Sequence, residues 1–257
     1  MAIPNDRYLY RMKHGVGLAV DLRLNDVPFY RRVSEYSESP AGTASHLLVE
    51  GENVLSLWMG EIEKVPWLVR SFEFLILRDG SEEPIFRLTW PEFAEEHPEG
   101  ERDLPIKHEA RFVFAEPTPK ALWVEAPVEN VPPEGTESLH DALRELHAAY
   151  ASGDVDAFLK VMEHKTAEMT KFYGPIPDLA PAAAKEYYGE KLAQPWKLEP
   201  YDPKKVVFER CANGRAAYAR NLEGGPALFA QHEHDPGETW QANPLFARVD
   251  GRWRVIW

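Results

Sequence analysis

Val249-Asp250-Gly251-Arg252-Trp253-Arg254-Val255-Ile256-Trp257 closes the chain as a polar turn feeding a strand. Trp253, Val255 and Trp257 alternate with Arg252 and Arg254, the period of two expected where one face of a strand is buried. Working outward, Leu139, Leu143, Leu146 and Tyr150 recur at steps of four, three and four. That spacing lays them along one stripe of a helix, which Ser138 is placed to cap. Gly153 ends this helix and Asp154 caps a second, where Val155, Phe158, Leu159 and Met162 repeat the helical period. A third helix is expected over 182–192, then strands over 206–211, 215–222, 227–232, 240–249 and 253–257. Asn213-Gly214 and Gly224-Gly225 supply hairpin turns between the first three strands. Helices followed by consecutive antiparallel strands predict an α+β unit, with the helices packed on one face of a curved sheet.

The N-terminal half carries a different pattern. Short β-rich stretches over 7–13, 16–24, 54–59, 68–77, 85–90, 106–114 and 121–124 are separated by Gly, Pro, Asn or Asp, which predicts an all-β sandwich. Between the halves, 118–135 contains four prolines along with Glu125, Glu129 and Glu134. The reading is therefore a β-sandwich over 1–126, an exposed linker over 127–135 and the α+β unit over 136–257.

The corner Ala149-Tyr150-Ala151-Ser152-Gly153-Asp154-Val155-Asp156-Ala157-Phe158, taken with the closing Asp250-Gly251-Arg252-Trp253-Arg254-Val255-Ile256, resembles the nuclear transport factor 2-like superfamily. Its members include SnoaL-type polyketide cyclases and ketosteroid isomerases. The resemblance spans 136–257 and implies a cone-shaped fold that hosts enzymes, ligand binders and dimerisation modules alike. In the N-terminal half, Leu22-Arg23-Leu24-Asn25-Asp26-Val27-Pro28 and Leu47-Leu48-Val49-Glu50-Gly51-Glu52-Asn53-Val54-Leu55-Ser56-Leu57 resemble the strand and turn pattern of galactose-binding-like jelly rolls over 7–80. There Gly51 is suited to a corner with positive φ, and Asn53 is placed to bond back to the loop backbone.

At 257 residues and a formal net charge of −13, the chain can bury a sizeable core but is poorly suited to neutralising phosphates, which excludes nucleic acid as the expected partner. Cys211 is the only cysteine, so no intramolecular disulfide and no thiolate cluster can form. No apolar run approaches a membrane span, and Met1 to Arg7 lacks an apolar leader, so a cytoplasmic location is expected.

Candidate chemistry is sparse. Gln231-His232-Glu233-His234-Asp235 would place His232 and His234 on one face of a strand, the spacing of a two-imidazole metal site, with Glu238 as third ligand if the loop folds back. Neither an H-E-x-x-H helix nor a second ligand cluster accompanies them, so no metal and no cofactor is expected. An isomerase or cyclase needs a carboxylate or imidazole inside the cone, with a phenol or acid to stabilise an enolate. The usable groups are His164, Tyr173, Tyr188, Glu209, Tyr218, His232 and Glu238. The Asp and Tyr pattern of the isomerases has no match here, and Tyr150 reads as core. No G-x-S-x-G occurs, and the tryptophans read as core packing. The sequence therefore points to a non-catalytic binding protein for a protein partner or small ligand, an acidic inhibitor or immunity-type protein among the options. It also allows a homodimer through the C-terminal sheet. The alternative is a SnoaL-like isomerase, cyclase or dehydratase acting in the cone.

Overall fold

In a computed structural model, residues 7–15, 17–34, 39–62, 71–90, 104–174 and 181–257 are described. Residues 16 and 68–70 of the expected strands lie outside that set. The chain is β-rich, with four antiparallel sheets among the described residues, and divides into two compact units, Met1–Pro119 and Lys120–Trp257.

The first unit contains β1 (Tyr8–His14), β2 (Leu18–Leu24), β3 (Val27–Ser34), β4 (Ala41–Thr43), β5 (Gly51–Glu61), β6 (Phe72–Arg78), β7 (Pro84–Trp90) and β8 (Ile106–Phe114). Two four-stranded sheets, ordered β4-β1-β6-β7 and β3-β2-β5-β8, face each other. Aromatic contacts join them: Tyr10 meets Phe29 at 5.1 Å, and Phe86 stacks on Phe112 at 4.4 Å. Leu18, Val20, Leu22 and Leu24 alternate into this core, as do Leu55, Leu57 and Met59 from the neighbouring strand. The two asparagines singled out in the sequence meet at one corner. The buried Asn53 amide donates to the carbonyls of Val49 and Gly51, and its oxygen accepts from Val49 N–H and from Asn25. Gly51 adopts φ of 99°, which a side chain would resist. Strands β3 and β4 were not expected, because neither alternates cleanly. Trp58 is exposed on the outer face of β5 and so departs from the core role assigned to the tryptophans.

The second unit starts with α1 (Leu122–Glu125), a single helical turn where a strand over 121–124 was expected. Its four residues bond locally, Ala126 N–H to the Leu122 carbonyl, and bury Trp123. The segment 127–135, expected as a linker, packs on this unit. Val131 lies in its core, Glu129 N–H donates to the Gly214 carbonyl at 2.7 Å, and Phe208 N–H donates to the Pro133 carbonyl at 2.8 Å. Proline lacks an N–H but keeps its acceptor, so this stretch covers the outer strand of a sheet.

Four more helices follow: α2 (Glu137–Ser152), α3 (Val155–Val161), α4 (Glu163–Tyr173) and α5 (Pro181–Leu192). Thr136, one residue ahead of the helix, caps α2 by accepting from Leu139 N–H; Ser138 sits inside the first turn. Gly153 ends α2 at φ of 67°, and Asp154 caps α3 by accepting from Asp156 and Ala157 N–H. Helix α4 was not expected, since its stretch offers few apolar positions at helical spacing.

The strands are β9 (Trp196–Leu198), β10 (Val206–Cys211), β11 (Ala216–Asn221), β12 (Leu228–His232), β13 (Thr239–Ala242), β14 (Leu245–Val249) and β15 (Arg252–Val255). They form two sheets, β10-β11-β14-β15 and β13-β12-β9. The expected strand over 240–249 is thus two strands in different sheets, broken at Asn243-Pro244. The Gly224-Gly225 turn closes only a single bridge, Arg220 to Pro226, before β12 leaves for the second sheet. Leu139, Leu143, Leu146, Tyr150, Phe158 and Leu192 pack against Phe208, Phe246, Leu228, Trp253 and Val255, so α2, α3 and α5 share one core with the strands. Trp257 departs from the alternation: β15 ends at Val255, and the Trp257 ring instead lies 6.1 Å from Tyr173. No helix among the described residues is long and apolar enough to cross a membrane.

Candidate functional site

A cavity of about 230 Å³ opens where α2 ends. The αL turn at Gly153 reverses the chain so that Tyr150 of α2 and Phe158 of α3 meet at 6.2 Å. Helix α5 contributes Tyr187, Tyr188 and Lys191, β9 contributes Trp196, and the turn into β13 brings Glu238 and Trp240. Tyr150 and Trp240 stack with centroids 3.8 Å apart and planes 19° apart, while Phe158 and Tyr188 lie 5.2 Å apart. Trp196 is fixed by an Nε1–H bond to the Lys191 carbonyl at 2.7 Å. The Tyr150 hydroxyl has no hydrogen-bond partner among the described residues.

The charges of the site are one pair. Lys191 Nζ lies 3.7 Å from Glu238 Oε1, and both side chains are more than two-fifths exposed, at 44% and 42%. The Glu238 backbone is anchored on both sides: its N–H donates to Asp235 and its carbonyl accepts from His232 N–H. Burial pushes the Tyr150 phenol well above its ordinary value; burial, and then the neighbouring Tyr187, raises Tyr188. Both phenols therefore stay protonated at neutral pH.

Of the candidate catalytic and metal-ligating residues named from the sequence, Tyr188 and Glu238 line this cavity. Glu209 and Tyr218 are cross-strand partners on β10 and β11, on the face opposite Phe208 and Ala219, and the Glu209 carboxylate is paired with Arg220. His164 lies beside Glu163 at 3.5 Å, and Tyr173 is buried against Phe172 and Trp257. His232 Nδ1 accepts from Asp235 N–H at 3.1 Å, which leaves its proton on Nε2, and its ring meets Trp196 edge-on at 5.3 Å. The His232 and His234 rings are 6.0 Å apart, and no group of three or more His, Cys, Asp or Glu that could hold a metal ion occurs among the described residues.

Sequence reasoning missed Tyr187 and Lys191 and preferred core packing over pocket lining for Trp196 and Trp240; the signal for the rings was aromatic residues near element ends. It also missed a second cleft, of about 350 Å³, walled in part by Tyr201 and Asp202. Behind it the buried His140 donates through Nε2 to the Glu134 carbonyl at 2.7 Å and accepts the Tyr201 hydroxyl at Nδ1. Both ring nitrogens are thereby committed to holding the segment before α2 and the turn at Tyr201 onto the helix. Compared with known proteins, the chain matches no family model, no curated protein and no solved structure.

Proposed function

We propose that this chain is a non-catalytic binding protein that takes a small ligand in the aromatic cavity of its second unit. On this reading that unit is NTF2-like, with helices preceding a run of antiparallel strands. The first unit is an accessory sandwich, jelly-roll-like in having eight strands in two sheets among the described residues.

The observation that carries the reading is the division of the second unit's interior. Between helices and sheet it is packed with apolar side chains, and the cavity left at one end is walled by aromatic rings. Isomerase chemistry requires a base and an enolate stabiliser converging on one substrate atom. Here the cavity's acid is paired with Lys191, its buried phenol is a poorer acid than free tyrosine, and Glu209, Tyr218, His164 and His232 do not line it.

Tryptophan fluorescence tests the reading, since Trp196 and Trp240 line the cavity. A panel of indole, phenol and choline should include members that change the emission saturably in the full chain and fail to do so in Trp240→Ala. If no member produces a Trp240-dependent change, the cavity is not a binding site.

A further inference from the structure

Resting on that reading, we infer that the ligand's recognised group is an alkylated ammonium ion, such as a quaternary amine head. Six aromatic side chains line the cavity: Tyr150, Phe158, Tyr187, Tyr188, Trp196 and Trp240. Ring faces carry negative quadrupole potential, and a methylated ammonium, which cannot be fully served by hydrogen bonds, is the cation that gains most from them. The volume of about 230 Å³ lies below the ~300–1,000 Å³ of pockets for drug-sized ligands, so it suits a compact head group.

The charge pair at the mouth favours the same sign. Its separation of 3.7 Å exceeds the ~2.7–2.9 Å of a charge-assisted hydrogen bond, so the two groups are associated without being locked. Glu238 is held by its own backbone bonds within the turn, whereas Lys191 ends a long flexible stem in the last turn of α5. An incoming cation can therefore replace the ammonium of Lys191 beside Glu238 while Lys191 swings into water. An incoming anion would have to approach the Glu238 carboxylate and the negative faces of the rings. The net charge of −13 also draws cations toward the chain and repels anions.

The test titrates the full chain with tetramethylammonium, choline and the neutral isostere of choline in which carbon replaces nitrogen, at constant ionic strength, with indole as a neutral aromatic control. Choline should bind about tenfold more tightly than its isostere, the margin expected of a desolvated cation over ring faces. Trp240→Ala should abolish the response. Glu238→Gln should weaken choline binding several-fold, and Lys191→Ala, which removes the resident competitor, should strengthen it. Both of these side chains are well exposed, so their replacement leaves folding intact. Equal binding of choline and its isostere, or weaker choline binding in Lys191→Ala, overturns the ammonium assignment. Binding of indole alone, lost in Trp240→Ala, overturns it too while leaving the cavity a binding site. Failure of every probe removes both.

Discussion

The two ends of one helix lie in different surroundings. At the start of α2, Leu139 and Leu143 are fully buried against a core that includes Phe208 and Phe246. At its end, about 16 Å further along the axis, Tyr150 stacks on Trp240 beside an open cavity. The stripe is continuous, and what changes is what meets it. The leucines fit among packed aliphatic and aromatic groups, whereas the Tyr150 ring is stacked on Trp240 and borders open space. With leucines at one end of the stripe and Tyr150 at the other, the proposed reading divides the element between stability and recognition.

The sharpest way to break this comparison is to truncate each end. Phe246→Ala removes a fully buried ring from the filled end, and Trp253→Ala removes one whose outer face carries the Arg248 guanidinium at 5.6 Å. Each should destabilise the second unit by about 3–5 kcal/mol, read from urea unfolding followed by circular dichroism. Trp240→Ala should cost no more than about 2 kcal/mol, because the ring is only half-buried and already borders a cavity. Equal losses at the two ends would mean that the rings around the cavity are ordinary core.

The helix itself was legible in the sequence at both ends. The stripe from Leu139 to Tyr150, the stop at Gly153 and the cap at Asp154 are local signals carried by residues whose neighbours in sequence are also their partners. Asn53 and Gly51 were readable for the same reason, as a turn whose bonds close within four residues. The cavity was not. Tyr150 satisfies a helical period whether its ring meets packed carbon or open space, and only the arrival of Trp240 and Trp196 from distant strands decides between them. Glu209 and Tyr218 could not be placed relative to the cavity, because alternation assigns a face of the strand without saying what lies above it. The proline-rich stretch 127–135 has the composition of a linker, but the carbonyl of Pro133 serves as an acceptor for a strand far away in sequence.

The smallest expected effect lies in the second cleft and asks whether it resembles the filled end or the open one. The Tyr201 phenol is pushed from 10.0 up to about 12, chiefly by burial, with Glu137, Asp141 and Asp202 adding and Arg144 opposing. A phenol whose native pKa exceeds its unfolded one favours the folded state below the unfolded value, and that contribution is lost as pH rises from about 10 to about 12. Tyr201→Phe should cost about 0.5–1.5 kcal/mol at neutral pH through the lost bond to His140, and it should also flatten part of the alkaline decline. Tyr150 and Tyr188 are shifted the same way, so the informative quantity is the difference between wild type and variant across pH, which leaves their contributions in common. If that difference vanishes, the Tyr201 phenol ionises as freely in the folded chain as in the unfolded one. The second cleft would then belong with the open end of α2.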